Sequence, residues 1–199
     1  MTSTAAIFGG SFDPVHNGHL AVIKAVIDTQ KPDNLIVFPS KISPLKTQVF
    51  APESDRIKML NLAIESLPAS KTKVSIDLFE LSAPSPSYTI HTLNYLQTKF
   101  KTTQFSLVIG YDNYQVFHRW KEYEQILSQV YLIVINRPGF SEENLQIPQK
   151  YKSKIKFITI KESPISSSKI RKSIAEKKSI INEVPDPINN YINRYKIYE

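Results

Sequence analysis

The sequence predicts an α/β protein, a doubly wound parallel sheet with helices on both faces. Three observations carry this expectation. Short apolar runs of strand length alternate with longer segments whose apolar residues recur at helical spacing. The connections between successive runs read as helices, which makes the strands parallel and the crossovers right-handed. Several runs stop at glycine, proline or an aspartate, at the carboxyl ends of strands where ligands of open α/β sheets lie. With 199 residues, 41% of them hydrophobic, the chain can bury a core, and one domain over residues 1–199 without linker or internal repeat is expected.

Composition narrows the partners. The chain has no cysteine, so disulfides and thiolate chemistry are excluded. A formal charge of +7 favours anionic partners, whether nucleotides, nucleic acid or acidic lipid headgroups, and does not choose among them. No apolar run approaches a membrane span, and the N-terminus lacks the basic-then-apolar layout of a signal peptide. A cytoplasmic protein with no membrane partner is therefore expected.

The first element, Ala5-Ala6-Ile7-Phe8, is a buried strand that ends at Gly9-Gly10, where the backbone can turn sharply and approach a ligand closely. After a turn containing Pro14, Leu20, Val22, Ile23, Val26 and Ile27 recur at helical spacing, so a helix opens near Gly18 or His19. Strand, glycine turn and helix together aim unpaired N–H groups at an anion. His16 and His19, three apart, fall on one side of that turn. On their own the histidines would also suit a metal or a structural role, although no further histidine or cysteine lies nearby to complete a zinc site. Lys31-Pro32-Asp33 breaks the helix, and residues 34–38 form a second buried strand ending at Pro39. Residues 39–47 are a proline- and serine-containing loop carrying Lys46, a point charge for phosphate. Glu53 and Asp55 mark the start of a helix that continues through Ile57, Met59, Leu60 and Ile64 towards Pro68. Residues 74–77 are a third strand, and residues 78–86 a loop.

Ser87-Tyr88-Thr89 opens a helix through Leu93, Leu96 and Phe100, with Ser87 or Thr89 placed to cap it. Residues 105–109 are the clearest strand after the first and run into Gly110-Tyr111-Asp112. Phe117-His118-Arg119-Trp120-Lys121 follows, with the chain's single tryptophan, and then a helix over residues 122–127. Residues 131–135 are another buried strand, terminating in Asn136-Arg137-Pro138-Gly139; residues 140–154 are polar and uninformative. Lys150, Lys152, Lys154 and Lys156 alternate with Tyr151, Ile155 and Phe157, which reads as a solvated face beside a last strand over residues 155–160. A nucleic-acid patch is the sharper alternative, but no RNA-binding signature accompanies it. In Ile165-Ser166-Ser167-Ser168-Lys169-Ile170-Arg171, serines cap a helix and leave its first N–H groups for a phosphate, with Arg171 about one turn on. Val184-Pro185-Asp186-Pro187 starts a final helix through Ile188, Tyr191 and Ile192.

Taken together, Gly9-Gly10-Ser11-Phe12-Asp13-Pro14-Val15-His16-Asn17-Gly18-His19 resembles the HxGH signature of the nucleotidyltransferase superfamily. Its GGxFDPxHxGH form is similar to that of the nicotinate or nicotinamide mononucleotide adenylyltransferases. The likeness continues through Pro39, Pro44 and Lys46, Arg56, Ser87-Tyr88-Thr89, Gly110 and Asp112, Phe117 and Trp120, Arg137-Pro138-Gly139, and Ile165 to Arg171; Ser43 and Leu45 depart from it. It implies a Rossmann-like fold of the HxGH type and adenylyl transfer from ATP to nicotinate mononucleotide in NAD biosynthesis. By the same resemblance His16, His19, Lys46 and Arg171 are catalytic, and Gly9, Gly10, Ser11, Phe12, Ile165, Ser167 and Ser168 join His16, His19 and Arg171 around ATP. Tyr88, Thr89, Gly110, Asp112, Trp120, Lys121 and Arg137 would hold the mononucleotide, and Arg56 reads as architectural.

The attacking 5′-phosphate is already ionised at neutral pH, so no catalytic nucleophile or general base is needed. Catalysis then rests on in-line positioning and on neutralising charge at the phosphates. Magnesium is expected to arrive on ATP, since no carboxylate cage for it is evident. Nicotinamide mononucleotide or phosphopantetheine as acceptor stands as an alternative, as does a non-catalytic nucleotide or RNA-binding module on the same fold. ATP and nicotinate mononucleotide are the expected partners, nucleic acid is not, and a homo-oligomer is left open.

Overall fold

Six strands, β1 (Ser3–Gly10), β2 (Asn34–Pro39), β3 (Lys73–Ile76), β4 (Thr103–Gly110), β5 (Tyr131–Asn136) and β6 (Ile155–Thr159), form one sheet in the computed structural model. Their order is β3-β2-β1-β4-β5-β6, and every neighbouring pair is parallel. The structure describes residues 3–42, 48–136, 146–161 and 165–199. Lys46 and Arg137, both expected at the site, lie outside them.

The side-chain period of two splits the strands' apolar residues between two cores. Ala6, Phe8, Leu35, Val37, Val108, Ile133 and Ile135 face one core, shared with α1 (Asn17–Gln30), α2 (Glu53–Glu65), α7 (Ser167–Ala175) and α8 (Asp186–Tyr195). Ala5, Ile7, Ile36, Phe38, Leu107, Ile109, Leu132 and Val134 face the other, shared with α4 (Thr89–Lys99), α5 (Tyr111–Gln115) and α6 (Tyr123–Gln129). Strands covered on both sides must be apolar on both, which is why they read as near-continuous hydrophobic runs. This is the doubly wound sheet that the sequence predicts.

From β1 the chain winds outward through β2 to β3, then returns to place β4 on the other side of β1. The reversal opens a crevice at the carboxyl ends of β1 and β4, where Gly9, Gly10 and Gly110 sit.

Three local features differ from expectation. The segment read as a loop before Pro86 contains a single helical turn, α3 (Phe79–Ser82). Neither Ser87 nor Thr89 caps α4: Tyr88 is its N-cap and no side chain bonds there, because the Ser87 hydroxyl is turned onto the Glu80 carbonyl at 3.3 Å. The lysine-rich segment forms a 3₁₀ turn, Gln149–Lys154, and Lys150, Lys154 and Lys156 have protein partners. Lys154 Nζ donates to the Leu127 and Ser128 carbonyls at the end of α6, Lys150 pairs with Glu124 at 3.2 Å, and Lys156 reaches Gln30. These contacts favour the solvated-face reading over a nucleic-acid patch.

Candidate active site

A cavity of about 630 Å³ occupies the crevice. One wall is the β1 turn and the start of α1, with Gly9, Gly10, Ser11, Phe12, His16 and His19. Ile165, Ser166 and Ser167, at the start of α7, close that side. Tyr88 and Thr89 of the α4 start, Gly110 and Asp112 after β4, and Trp120 and Lys121 form the opposite wall. Residues scattered from 9 to 167 thus converge on one space. A Cβ on Gly10 would stand 3.0 Å from the Phe12 ring, so a side chain there would press on Phe12 beneath the turn and glycine fits with the least displacement.

The two imidazoles are stacked, with centroids 3.7 Å apart and planes inclined by 27°. His16 is the N-cap of α1, and its backbone N–H donates to His19 Nδ1 at 3.2 Å. A ring nitrogen that accepts carries no proton, so the neutral His19 ring holds its proton on Nε2. The Phe12 ring meets His19 edge-on at 4.9 Å and fixes its other side. His19 is therefore a pre-set hydrogen-bond donor at the cavity wall.

The turn itself is held from behind by Asp13, which is 2% exposed. Its carboxylate accepts from the backbone N–H of Phe50 at 2.8 Å and of Ala51 at 3.1 Å, and from the Tyr198 hydroxyl at 2.7 Å. Arg171 donates to the Asp13 carbonyl at 2.6 Å and lies over the Phe50 ring at 4.0 Å. Ser167 Oγ donates to the Pro14 carbonyl at 2.9 Å, so α7 is fastened to the turn at two points. Arg56, fully buried, donates to the Ser11 and Ser40 carbonyls at 2.7 and 2.8 Å, which agrees with an architectural role. Burial pushes its guanidinium down from the usual arginine range, and the Asp13 carboxylate opposes this. Burial first, and Asp13 second, push the Tyr198 hydroxyl far up, so it stays a donor.

Two residues expected on the ATP side lie outside the cavity lining: Ser168 is exposed and accepts from Arg171 Nη2 at 3.3 Å, and Arg171 Nη1 donates to the Asp13 carbonyl. The serine cap itself is as expected, with Ser166 accepting from the Lys169 N–H.

On the other wall, Lys121 Nζ lies 3.4 Å from His91 Nε2 and 4.9 Å from the centre of the Tyr88 ring. The uncapped amide end of α4 opens beside them. Trp120 packs on Phe117, with centroids 5.0 Å apart. Glu80 on α3, which sequence reasoning missed, also reaches the cavity. It is 9% exposed, and Oε1 accepts from Thr92 Oγ1 at 2.8 Å. Burial raises its carboxyl from 4.5 to about 7, against the smaller lowering effect of Thr92. Because the folded value is raised, the wild type binds an extra proton between these limits and loses stability as pH climbs through them. Glu80→Gln is expected to be more stable than wild type by up to about 3 kcal/mol at pH 8 and nearly equal to it at pH 4.5. Urea unfolding at both pH values checks this, and a pH-independent difference would contradict it.

A family model described as cytidylyltransferase-like matches residues 7–173, from β1 into α7. The chain belongs to the cytidylyltransferase-like family. Among relatives of this cytidylyltransferase-like chain, a Leptospira borgpetersenii protein named probable nicotinate-nucleotide adenylyltransferase is 37% identical, over 100% of this chain and 99% of that one. A Bacteroides fragilis protein of the same name is 38% identical, over 87% and 83% respectively. The fold matches a solved structure titled Plasmodium falciparum nicotinic acid mononucleotide adenylyltransferase complexed with NaAD. Its TM-score is 0.77 at 22% identity, covering 98% of this chain and 97% of that chain.

Proposed function

We propose that the chain transfers the adenylyl group of ATP to nicotinate mononucleotide, giving nicotinate adenine dinucleotide and pyrophosphate, a step of NAD biosynthesis. The observation that carries this reading is the cavity of about 630 Å³ at the strand reversal, where the glycine turn and the two histidines face Tyr88, Asp112, Trp120 and Lys121. The names of the relatives point the same way. We read residues 1–199 as one nucleotidyltransferase domain, since the two walls draw on elements from β1 to α7.

In this reaction an oxygen of the mononucleotide's 5′-phosphate forms a bond to the α-phosphorus of ATP. The bond from that phosphorus to the bridging oxygen breaks, and its electron pair leaves with pyrophosphate. The mononucleotide phosphate needs no base, so the protein's work is positioning and charge stabilisation. His19 Nε2 and His16 donate to the phosphates, and the first amides of α7, that of Ser167 among them, hold the tail. Gly9 and Gly10 bring backbone close to the nucleotide. Asp112 accepts from ribose hydroxyls, Trp120 stacks on the pyridine ring, and Tyr88, Thr89 and Lys121 surround its substituent. Arg171 acts by fixing Asp13 and with it the histidine turn, while Lys46 and Arg137 keep the roles that the resemblance implies.

The donors on the ATP wall are N–H and O–H groups, which suit phosphate oxygens rather than a hard cation. Among the described residues no three histidine, aspartate or glutamate side chains are grouped to hold a metal. We read magnesium as carried by ATP, where it would neutralise phosphate charge. No described helix is long and apolar enough to cross a membrane.

Mixing purified protein with ATP and either mononucleotide tests the reading. Pyrophosphate release is expected with a higher kcat/KM for the nicotinate form; equal values would remove the acid preference. No release, with salt-sensitive retention of polynucleotide, would favour an RNA-binding module instead.

A further inference from the structure

Glu80 is a buried acid that the mechanism above does not use. It lines the main cavity and also a second one of about 240 Å³, and Ser87, Tyr88 and Lys121 are the other residues common to both. One carboxyl oxygen is tied to Thr92, and the other has no hydrogen-bond partner among the described residues. Beside this carboxyl the wall presents the open amide end of α4, an end that attracts an anion, and Lys121 lines the same two cavities.

Resting on the proposed function, we propose that Glu80 is a specificity-determining residue for the substituent on the acceptor's pyridine ring. As a neutral acid it donates a hydrogen bond to a carboxylate substituent, and as a carboxylate it repels that substituent, so its ionisation moves selection from the acid towards the amide. A carboxyl held near 7 by burial makes the change fall in the working range of the enzyme.

Other charged and titratable groups in this part of the wall are accounted for. Asp77, just before α3, is bound by Lys99 at 3.0 Å and by the Tyr95 hydroxyl at 3.1 Å. From α4 and its N-cap come Tyr88, His91, Tyr95 and Lys99, and from the segment between α5 and α6 Arg119 and Lys121. An imidazole can also change charge near neutrality, so His91 requires its own control. The 5′-phosphate titrates in both mononucleotides and cancels in their ratio.

The experiment measures kcat/KM for nicotinate and nicotinamide mononucleotides from pH 6 to pH 8. A group titrating near 7 drops from mostly neutral to mostly ionised across this range. The acid-to-amide ratio of the wild type is therefore expected to fall about tenfold. In Glu80→Gln the ratio stays flat at its acid-limb value, while in His91→Gln the fall persists. Thr92→Val, which removes the hydrogen bond favouring ionisation, moves the midpoint to higher pH and tests the idea should Glu80→Gln fail to fold. A flat wild-type ratio, a fall that survives in Glu80→Gln, or an unmoved midpoint in Thr92→Val would overturn the assignment while leaving adenylyl transfer standing. Turnover of neither mononucleotide at any pH would overturn both.

Discussion

His19→Ala is expected to lower the rate of pyrophosphate release by about 10²- to 10³-fold with the fold retained. The size follows from what the ring does. The His16 amide fixes the His19 tautomer at 3.2 Å, and stacking on His16 and contact with Phe12 fix its plane, so Nε2–H is aimed before substrate arrives. A donor that needs no reorganisation stabilises the developing charge more than a freely rotating one does. Alanine also removes an acceptor from the first turn of α1, at a cost of about 1 kcal/mol in stability. The melting temperature should therefore drop modestly while turnover collapses. Because His19 lies on the ATP wall, KM for the mononucleotide should move little. Near-normal turnover in a folded His19→Ala protein would refute the role.

What could be read from sequence here was whatever is local. Residues 5–8 and 34–38 announce strands because both faces of the sheet are covered, and the turn at Gly9-Gly10 announces itself by composition. The Ser166 cap was legible for the same reason, since its bond spans three residues. Glu80 was not, because a one-turn helix of four residues has no periodicity to detect, and the carboxyl's environment is made by burial and by Thr92, twelve residues on. Arg171 shows the limit of motif reading: its position near the turn was legible, but the group it grips is a backbone carbonyl 158 residues earlier. Tyr198 lay beyond the stretch where the resemblance was traced, and nothing in the residues around it points to Asp13, 185 positions away.

Asp13→Ala should be the most damaging change to stability, at about 3–5 kcal/mol, because it removes one member of a buried charge cluster and leaves the others in place. Four donors or cations depend on this residue: the Phe50 and Ala51 amides, the Tyr198 hydroxyl and the Arg56 guanidinium, whose charge Asp13 offsets. Tyr198→Phe removes only one neutral-donor contact, so it should cost about 1–2 kcal/mol. Urea unfolding of both variants separates the two. If Asp13→Ala unfolded at the wild-type midpoint, the cluster would have to be supported by something other than this carboxylate. The same loss should reach catalysis, since Asp13 lies three residues before His16 and its carboxylate, 3.9 Å from Arg171 Nη1, helps tie α7 to the turn. In Tyr198→Phe the Asp13 carboxylate and its contacts to the Phe50 and Ala51 amides and to Arg171 survive, so activity should fall much less than in Asp13→Ala at a temperature where both are folded. Equal activity losses would mean that the Tyr198 hydroxyl, rather than the carboxylate's contacts to the Phe50 and Ala51 amides and Arg171, sets the position of the histidine turn.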